Sequence, residues 1–267
     1  MLKKSSFQNA QLQWLDLGEG PCLLLLHGFT ESYRCWEPFA RALSANYRLI
    51  VPDLPGSGES ALIAGAAGMD QMALSLWQLL NELDIDQCTV IGHSMGGYVA
   101  LDMLEQAAHR LNGIGLFHSH PFGDDAAKQA NRDRTIKLIE ERGSKAFLQG
   151  FIPNLFAPQH RVPLKNTISQ LEKQAARQST EAYIAQSRGM RNRANRQHLL
   201  ARTHLPKLVV AGAADPILPL EVALSFAAKL DRCQLEILQN AGHMGMYEQP
   251  DESAAVLSSF MQDFVGG

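Results

Sequence analysis

The most restrictive stretch of this 267-residue chain is Val90-Ile91-Gly92-His93-Ser94-Met95-Gly96-Gly97-Tyr98. The apolar run from Cys88 to Ile91 predicts a buried strand, and a helix is expected to open at Met95. A serine at the apex of so sharp a turn is presented rather than packed. Any Cβ at 92 or 96 is expected to collide with the neighbouring strand and helix, so Gly-x-Ser-x-Gly is a steric requirement as well as a pattern. A glycine-rich turn with a chance serine has the same local sequence. Only the rest of the chain separates the two readings.

Upstream, Gln11 to Leu17 alternates polar and apolar residues before the turn cluster Gly18-Glu19-Gly20-Pro21, which predicts an edge strand with one wet face. Cys22 to Leu26 is a continuous apolar run, as a central strand covered on both faces requires. Trp36, Phe39, Ala40 and Leu43 recur at helical spacing, and Arg48 to Val51 is the next strand. The proline- and glycine-rich segment from Pro52 to Ser60 is a tight, irregular connection. Its Gly56-Ser57-Gly58 lacks the lysine and helix start of a nucleotide loop. Ala61 to Gly68 reads as a mobile surface loop, and Asp70 as the N-cap of a helix through Leu83 that buries Leu76, Leu79, Leu80 and Leu83. After the helix from Met95 to about Arg110, Gly113 to Phe117 is another strand. This alternation predicts a mostly parallel sheet with helices on both faces.

The alternation stops at His118. Residues 126–142, 145–151, 164–177 and 180–190 have helical periodicity, and no strand is evident before Lys207 to Ala211. A helix at 220–230, a strand at 234–238 and a last helix capped by Asp251, with Ala255, Phe260 and Phe264 inward, complete the chain. The domain reading is therefore an α/β core of residues 1–118 and 204–267 with an all-helical cap, 119–203, lying over the sheet edge as a lid.

The composition, 46% hydrophobic and 19% charged with net charge −3, offers no reason for nucleic acid or an anionic membrane as partner. No apolar run follows the basic N-terminus, so it does not read as a signal peptide, and no run is long enough to span a bilayer. Cysteines 22, 35, 88 and 233 lack metal-site spacing, which points to a reducing cytoplasm. A monomer and a homodimer both fit.

In open α/β sheets ligands bind beyond the carboxyl ends of the strands. Three such loops carry chemistry: Ser94, Gly212-Ala213-Ala214-Asp215-Pro216, and Asn240-Ala241-Gly242-His243. A serine hydroxyl becomes a useful nucleophile when a neutral imidazole takes its proton, and an acid behind the imidazole fixes its tautomer. Taken singly, Asp215 could cap a turn and His243 could be a surface histidine. Asp124 and Asp125 are alternative acids, although helix N-capping also explains them. The backbone N–H groups of Met95 and Phe29 are the candidate oxyanion donors, each such donor being worth about 3 kcal/mol in a transition state. His27 is read as structural.

These stretches, His27-Gly28-Phe29, Asp53 to Ser60, Gly92 to Gly97, Gly212 to Pro216 and Gly242-His243, together resemble capped serine esterases of the α/β-hydrolase superfamily. The resemblance implies an α/β-hydrolase fold with an eight-stranded, mostly parallel sheet, and no cofactor. It implies a serine hydrolase acting on a small or medium carboxylic ester, or a related acyl or carbon–carbon bond, through an acyl-enzyme on Ser94. Epoxide hydrolases and haloalkane dehalogenases of this fold carry an aspartate where Ser94 stands. A lyase or perhydrolase using the same residues, and a non-catalytic small-ligand receptor, are the alternatives.

Residues 119–203 hold 15 Lys and Arg against 7 Asp and Glu, a charge of +8 that leaves −11 elsewhere. With Arg188, Arg191, Arg193 and Arg196 as its densest cluster, this basic segment suggests either steering of an anionic substrate or solvated faces paired with the body. His118, Phe122 and Phe151 are candidates for the substrate pocket. His118, His120 and Asp124 have no third-ligand spacing that would make them a metal site.

Overall fold

The computed structural model describes residues 1–7, 10–63 and 68–265. Eight strands form one sheet: β1 (Leu2–Phe7), β2 (Ala10–Leu17), β3 (Cys22–Leu26), β4 (Arg48–Pro52), β5 (Cys88–His93), β6 (Leu111–Phe117), β7 (Lys207–Gly212) and β8 (Cys233–Leu238). Their order is β1-β2-β4-β3-β5-β6-β7-β8. The two pairings made by β2 are antiparallel and the remaining five are parallel. The fold is that of an α/β hydrolase, as the motifs implied. Leu23 to Leu26 are wholly buried, which is why β3 reads as an unbroken apolar run.

The helices are α1 (Glu37–Leu43), α2 (Met69–Glu82), α3 (Met95–Ala107), α4 (Ala126–Arg142), α5 (Ser144–Phe151), α6 (Lys165–Ala175), α7 (Thr180–Asn192), α8 (Gln197–Arg202), α9 (Leu220–Ala227), α10 (Gly245–Glu248) and α11 (Pro250–Phe260). No strand lies between β6 and β7, where α4 to α8 follow one another with two short 3₁₀ turns. None of the described helices is long and apolar enough to cross a membrane.

Several local expectations change. β2 is not the edge, because β1 pairs along it. The Lys-Lys-Ser-Ser sequence of β1 has no apolar alternation, but ladder bonds use main-chain groups and polar side chains suit an edge. Gly68, not Asp70, occupies the N-cap of α2, leaving Asp70 in the first turn, where its charge complements the helix dipole. Likewise Gln249 is the N-cap of α11, with Pro250 at the first helical position and Asp251 beyond it. The buried face of α11 is Ser253, Leu257 and Phe260, whereas Ala255 is exposed. The Phe264 side chain and positions 64–67 of the expected mobile loop lie outside what is described.

β3 sits between β4 and β5, so the chain leaves β3 in one direction and β5 in the other. The crevice beyond the carboxyl ends of these two strands is the topological switch point, where open α/β sheets hold ligands. The loop carrying Phe29 follows β3, and Ser94 follows β5.

Candidate active site

Ser94 has φ 49° and ψ −113°, a left-handed conformation that side chains disfavour and that costs on the order of 1–3 kcal/mol. The glycines make the turn fit. A Cβ on Gly92 would stand 2.2 Å from the backbone of Gly96, and one on Gly96 would stand 2.5 Å from the carbonyl oxygen of Leu26. The turn is tied down by Ser94 N–H donating to Phe117 O (3.0 Å) and by the Ser119 hydroxyl donating to Ser94 O (2.7 Å). Ser94 is partly exposed between buried His93 and Met95.

Asp215 and His243 meet directly. His243 Nδ1 lies 2.8 Å from Asp215 Oδ2 and 3.0 Å from Oδ1. Oδ1 also accepts the amides of Ile217 (2.8 Å) and Leu218 (2.9 Å). Burial alone would raise the Asp215 pKa, but the neighbouring His243, with hydrogen bonds from His118 and from His243 itself, holds the carboxyl well below the usual carboxylate range. Asp215 is therefore an anion at neutral pH. With the Nδ1 proton of His243 spent on it, Nε2 is left to accept one. The loops carrying Asp215 and His243 are also stitched together, Ala213 N–H to Leu238 O and Ala214 N–H to Ala241 O, each at 3.0 Å.

Ser94 reaches this pair through its neighbour. His93 Nε2 is 2.9 Å from the carbonyl oxygen of His243, and the two rings are 5.0 Å apart. No hydrogen bond joins the Ser94 hydroxyl to His243 among the described residues. Such contacts are often long until substrate is bound. The amides of Phe29 and Met95 make no hydrogen bond to a protein acceptor among the described residues, so both are available as donors.

The other candidates divide. His118 does not line a pocket: it is wholly buried, with Nδ1 3.1 Å from Asp215 Oδ2. Burial lowers its pKa against the pull of Asp215, so the ring is neutral and donates from Nδ1. Phe151 stacks on Phe147, and both rings pack against Phe29 together with Tyr183. Phe122 belongs to a different contact, between His120 and Phe226. Asp125 caps α4 through Lys128 N–H, and Asp124 pairs with Arg193 and Arg132, so neither supports His243. His120 turns to Tyr98, away from any ligand set with Asp124. Among the described residues the group of three potential ligands is instead His118, Asp215 and His243, whose ligand atoms lie within 4.8 Å of one another. Both histidines spend Nδ1 on the carboxylate there. A cavity of about 60 Å³ lined by Thr30, Glu31, Tyr33, Asp53 and Gln178, among others, does not include Ser94 or His243.

His27 is structural, as expected. Its Nε2 accepts Leu54 N–H at 2.9 Å and its Nδ1 faces Gly28 O. Two groups escaped the sequence altogether. Glu31 touches both Gly28 and His93, and the buried Glu248 carboxylate accepts the amides of Gly242 and Met244 on either side of His243. Neither belongs to a spaced motif, because each acts on backbone groups and imidazole rings that only the folded chain assembles.

The sequence profile of the alpha/beta hydrolase family matches residues 23–256. This chain belongs to that family. A dihydrolipoyllysine-residue acetyltransferase component of an acetoin-cleaving system from Pseudomonas putida is 29% identical over 97% of this hydrolase and 69% of that protein. A pimeloyl-[acyl-carrier protein] methyl ester esterase from Vibrio vulnificus is 27% identical, covering 94% of this chain and 98% of its own. Among solved structures, a thermophilic esterase from Thermogutta terrifontis, with malate bound, superimposes with a TM-score of 0.92 at 28% identity over 98% of each chain.

Proposed function

We propose that this alpha/beta hydrolase is a serine esterase in which Ser94 attacks, His243 transfers protons, Asp215 orients His243, and the amides of Phe29 and Met95 bind the oxyanion. The observation carrying this reading is the buried Asp215–His243 hydrogen bond at 2.8 Å, on loops tied to the one that presents a strained Ser94. The Ser94 hydroxyl gives its proton to His243 as it bonds to the acyl carbon. His243 then protonates the departing alkoxide, and water releases the acid by the same two steps in reverse. Esterases among the relatives support a carboxylic ester as substrate.

Residues 119–203 serve as the cap in this reading. Phe147, Phe151 and Tyr183 pack on Phe29, and the Gln186 side-chain amide donates to Pro55 O and Ser57 Oγ. The acyl group would meet this aromatic roof. The basic cluster offers little to an anion: Arg188 pairs with Glu140, Arg191 with Asp133, Arg193 with Asp124, and Arg196 with Asp102 and Glu105.

The test is labelling with a fluorophosphonate probe and mapping of the adduct, beside turnover of p-nitrophenyl butyrate. The expected result is an adduct on Ser94, and a folded Ser94→Ala variant that neither labels nor turns over. An adduct elsewhere, or undiminished turnover by Ser94→Ala, overturns the assignment. Parallel assays with a β-diketone and with peroxide separate a lyase or perhydrolase. Tight ligand binding without any burst of product would mark a receptor.

A further inference from the structure

We propose that His93 and Glu31 form a buried imidazolium–carboxylate pair that holds the oxyanion loop, the nucleophile turn and the base loop in register, so that both are positioning residues for ester hydrolysis. The positioning role rests on the serine-esterase reading; the charged state of the pair does not.

Hydrogen-bond accounting carries the charge assignment. His93 Nε2 lies 2.9 Å from the backbone oxygen of His243, which can only accept, so Nε2 bears a proton. On the other side of the ring, Nδ1 is 3.0 Å from Glu31 Oε2. That oxygen already accepts Gly28 N–H at 2.7 Å. The short amide contact favours a carboxylate oxygen there, and a second proton on the ring at Nδ1 completes the contact. A ring protonated at both nitrogens is a cation. The side chains are 0% and 3% exposed, so the two charges must balance each other. Burial opposes both, yet the pair's mutual attraction leaves the Glu31 carboxyl at about 2 and raises His93 above the ordinary histidine value. Other titratable groups around the pair are His27, Cys35, Asp53, His118, Asp215, His243 and Tyr247.

The connectivity carries the positioning role. Gly28 precedes Phe29, whose amide is an oxyanion donor; His93 precedes Ser94; and the third bond fixes the backbone of His243. One charged pair therefore joins the segments bearing the donor, the nucleophile and the base. In Glu31→Gln the atom facing His93 can no longer accept from both Gly28 N–H and His93 Nδ1–H as an anion. The ring loses its counter-ion and one bond, and the three segments lose their common anchor.

The experiment uses full-length protein labelled with ¹⁵N-histidine. At pH 8 the wild type is expected to show one histidine, assigned to His93 through sequential connectivities, with both ring nitrogens protonated. Glu31→Gln should lose that signature while keeping its far-ultraviolet circular dichroism. Its kcat on p-nitrophenyl butyrate should fall on the order of 10- to 100-fold with KM little changed, the size expected when reacting groups are displaced without losing substrate contacts. A neutral His93 ring in the wild type at pH 8 overturns the pair, even if Glu31→Gln fails to fold. A charged ring in the wild type, with unchanged kcat in a Glu31→Gln variant that has lost it, overturns the positioning role. Wild-type protein that does not label at Ser94 instead defeats the esterase reading and leaves the resonance result to decide the pair.

Discussion

Asp215 uses its lone pairs in two sets. Oδ1 takes the amides of Ile217 and Leu218, while Oδ2 takes Nδ1–H from His243 and from His118. An asparagine cannot repeat this, since its NH₂ must face either the two amides or the two histidines. Asp215→Asn is therefore expected to release or flip the His243 tautomer and to lower kcat on the order of 10⁴-fold, with KM far less affected, in steady-state ester hydrolysis. Normal kcat in that variant would remove Asp215 from the mechanism. Gly92→Ala tests the turn: its methyl would stand 2.2 Å from Gly96 backbone, which cannot rotate away, so a loss of at least about 1–3 kcal/mol is expected in urea denaturation. At this scale the Ser94 turn and the pairing of Asp215 with His243 were legible because each lies in a short motif at a strand end. Glu31, His93 and the true place of His118 were not, because their partners are backbone atoms or a carboxylate distant in sequence. Pattern reading finds spacing; it does not find which lone pair meets which proton.

The short helix α10 does more than link β8 to α11. Its Glu248 carboxylate accepts Gly242 N–H (2.9 Å) and Met244 N–H (3.1 Å) on one oxygen, and Ala157 N–H (2.9 Å) and His160 Nδ1 (2.9 Å) on the other. His243 N–H also reaches Leu155 O at 2.8 Å, so the base loop and the segment before α6 are fastened side by side. Glu248→Gln places an NH₂ against one pair of donors and leaves at least one buried backbone N–H without its acceptor, at about 1–3 kcal/mol. A drop of about 1–3 kcal/mol in urea-derived stability is expected, together with faster amide exchange at Gly242 or Ala157. Exchange unchanged at both amides would show that the clamp holds nothing. Helix positions were legible from periodicity, to within a few residues for α4 through α7. Their caps were less so, since Asp70 and Asp251 are good cap residues placed one or two positions inside their helices, where they complement the dipole instead. β1 was invisible because a polar edge strand has no apolar period to read.

The alternation of strands and helices, and its interruption after β6, was enough to foresee a mostly parallel sheet flanked by helices with a helical stretch between β6 and β7. The order in which the strands lie was not, because periodicity says nothing about which neighbour a strand takes. Nor could composition reveal how many histidines are buried, and this governs the response to acid. His27, His118 and His120 are buried with lowered pKa values, His120 to about 3, and burial is the leading cause in each. Above the unfolded value of about 6.5 these rings are neutral in both states and contribute no slope. Below it the unfolded chain takes up protons that the folded chain refuses, so each ring removes about 1.4 kcal/mol of stability per pH unit until its folded pKa is reached. His93, with its raised pKa, acts in the opposite sense: its contribution is fully present below about 6.5 and is lost as pH rises through its folded value. Glu31 and Asp215, both lowered, contribute above about pH 4, and the Glu31 share disappears as pH falls toward 2. The expected profile thus falls from pH 6 to 4, His120 alone contributing about 1.4 kcal/mol per unit with His27 and His118 acting in the same direction, and falls more gently on the alkaline side. His120→Gln isolates one of these terms, for His120 is 7% exposed and touches Tyr98 and Phe122 rather than Asp215 or His243. Urea denaturation at half-unit intervals should show that variant losing about 1.4 kcal/mol per pH unit less than wild type between pH 6 and 4. An identical slope would mean that His120 takes up its proton in the folded protein, and the acid limb would then belong to the other two rings.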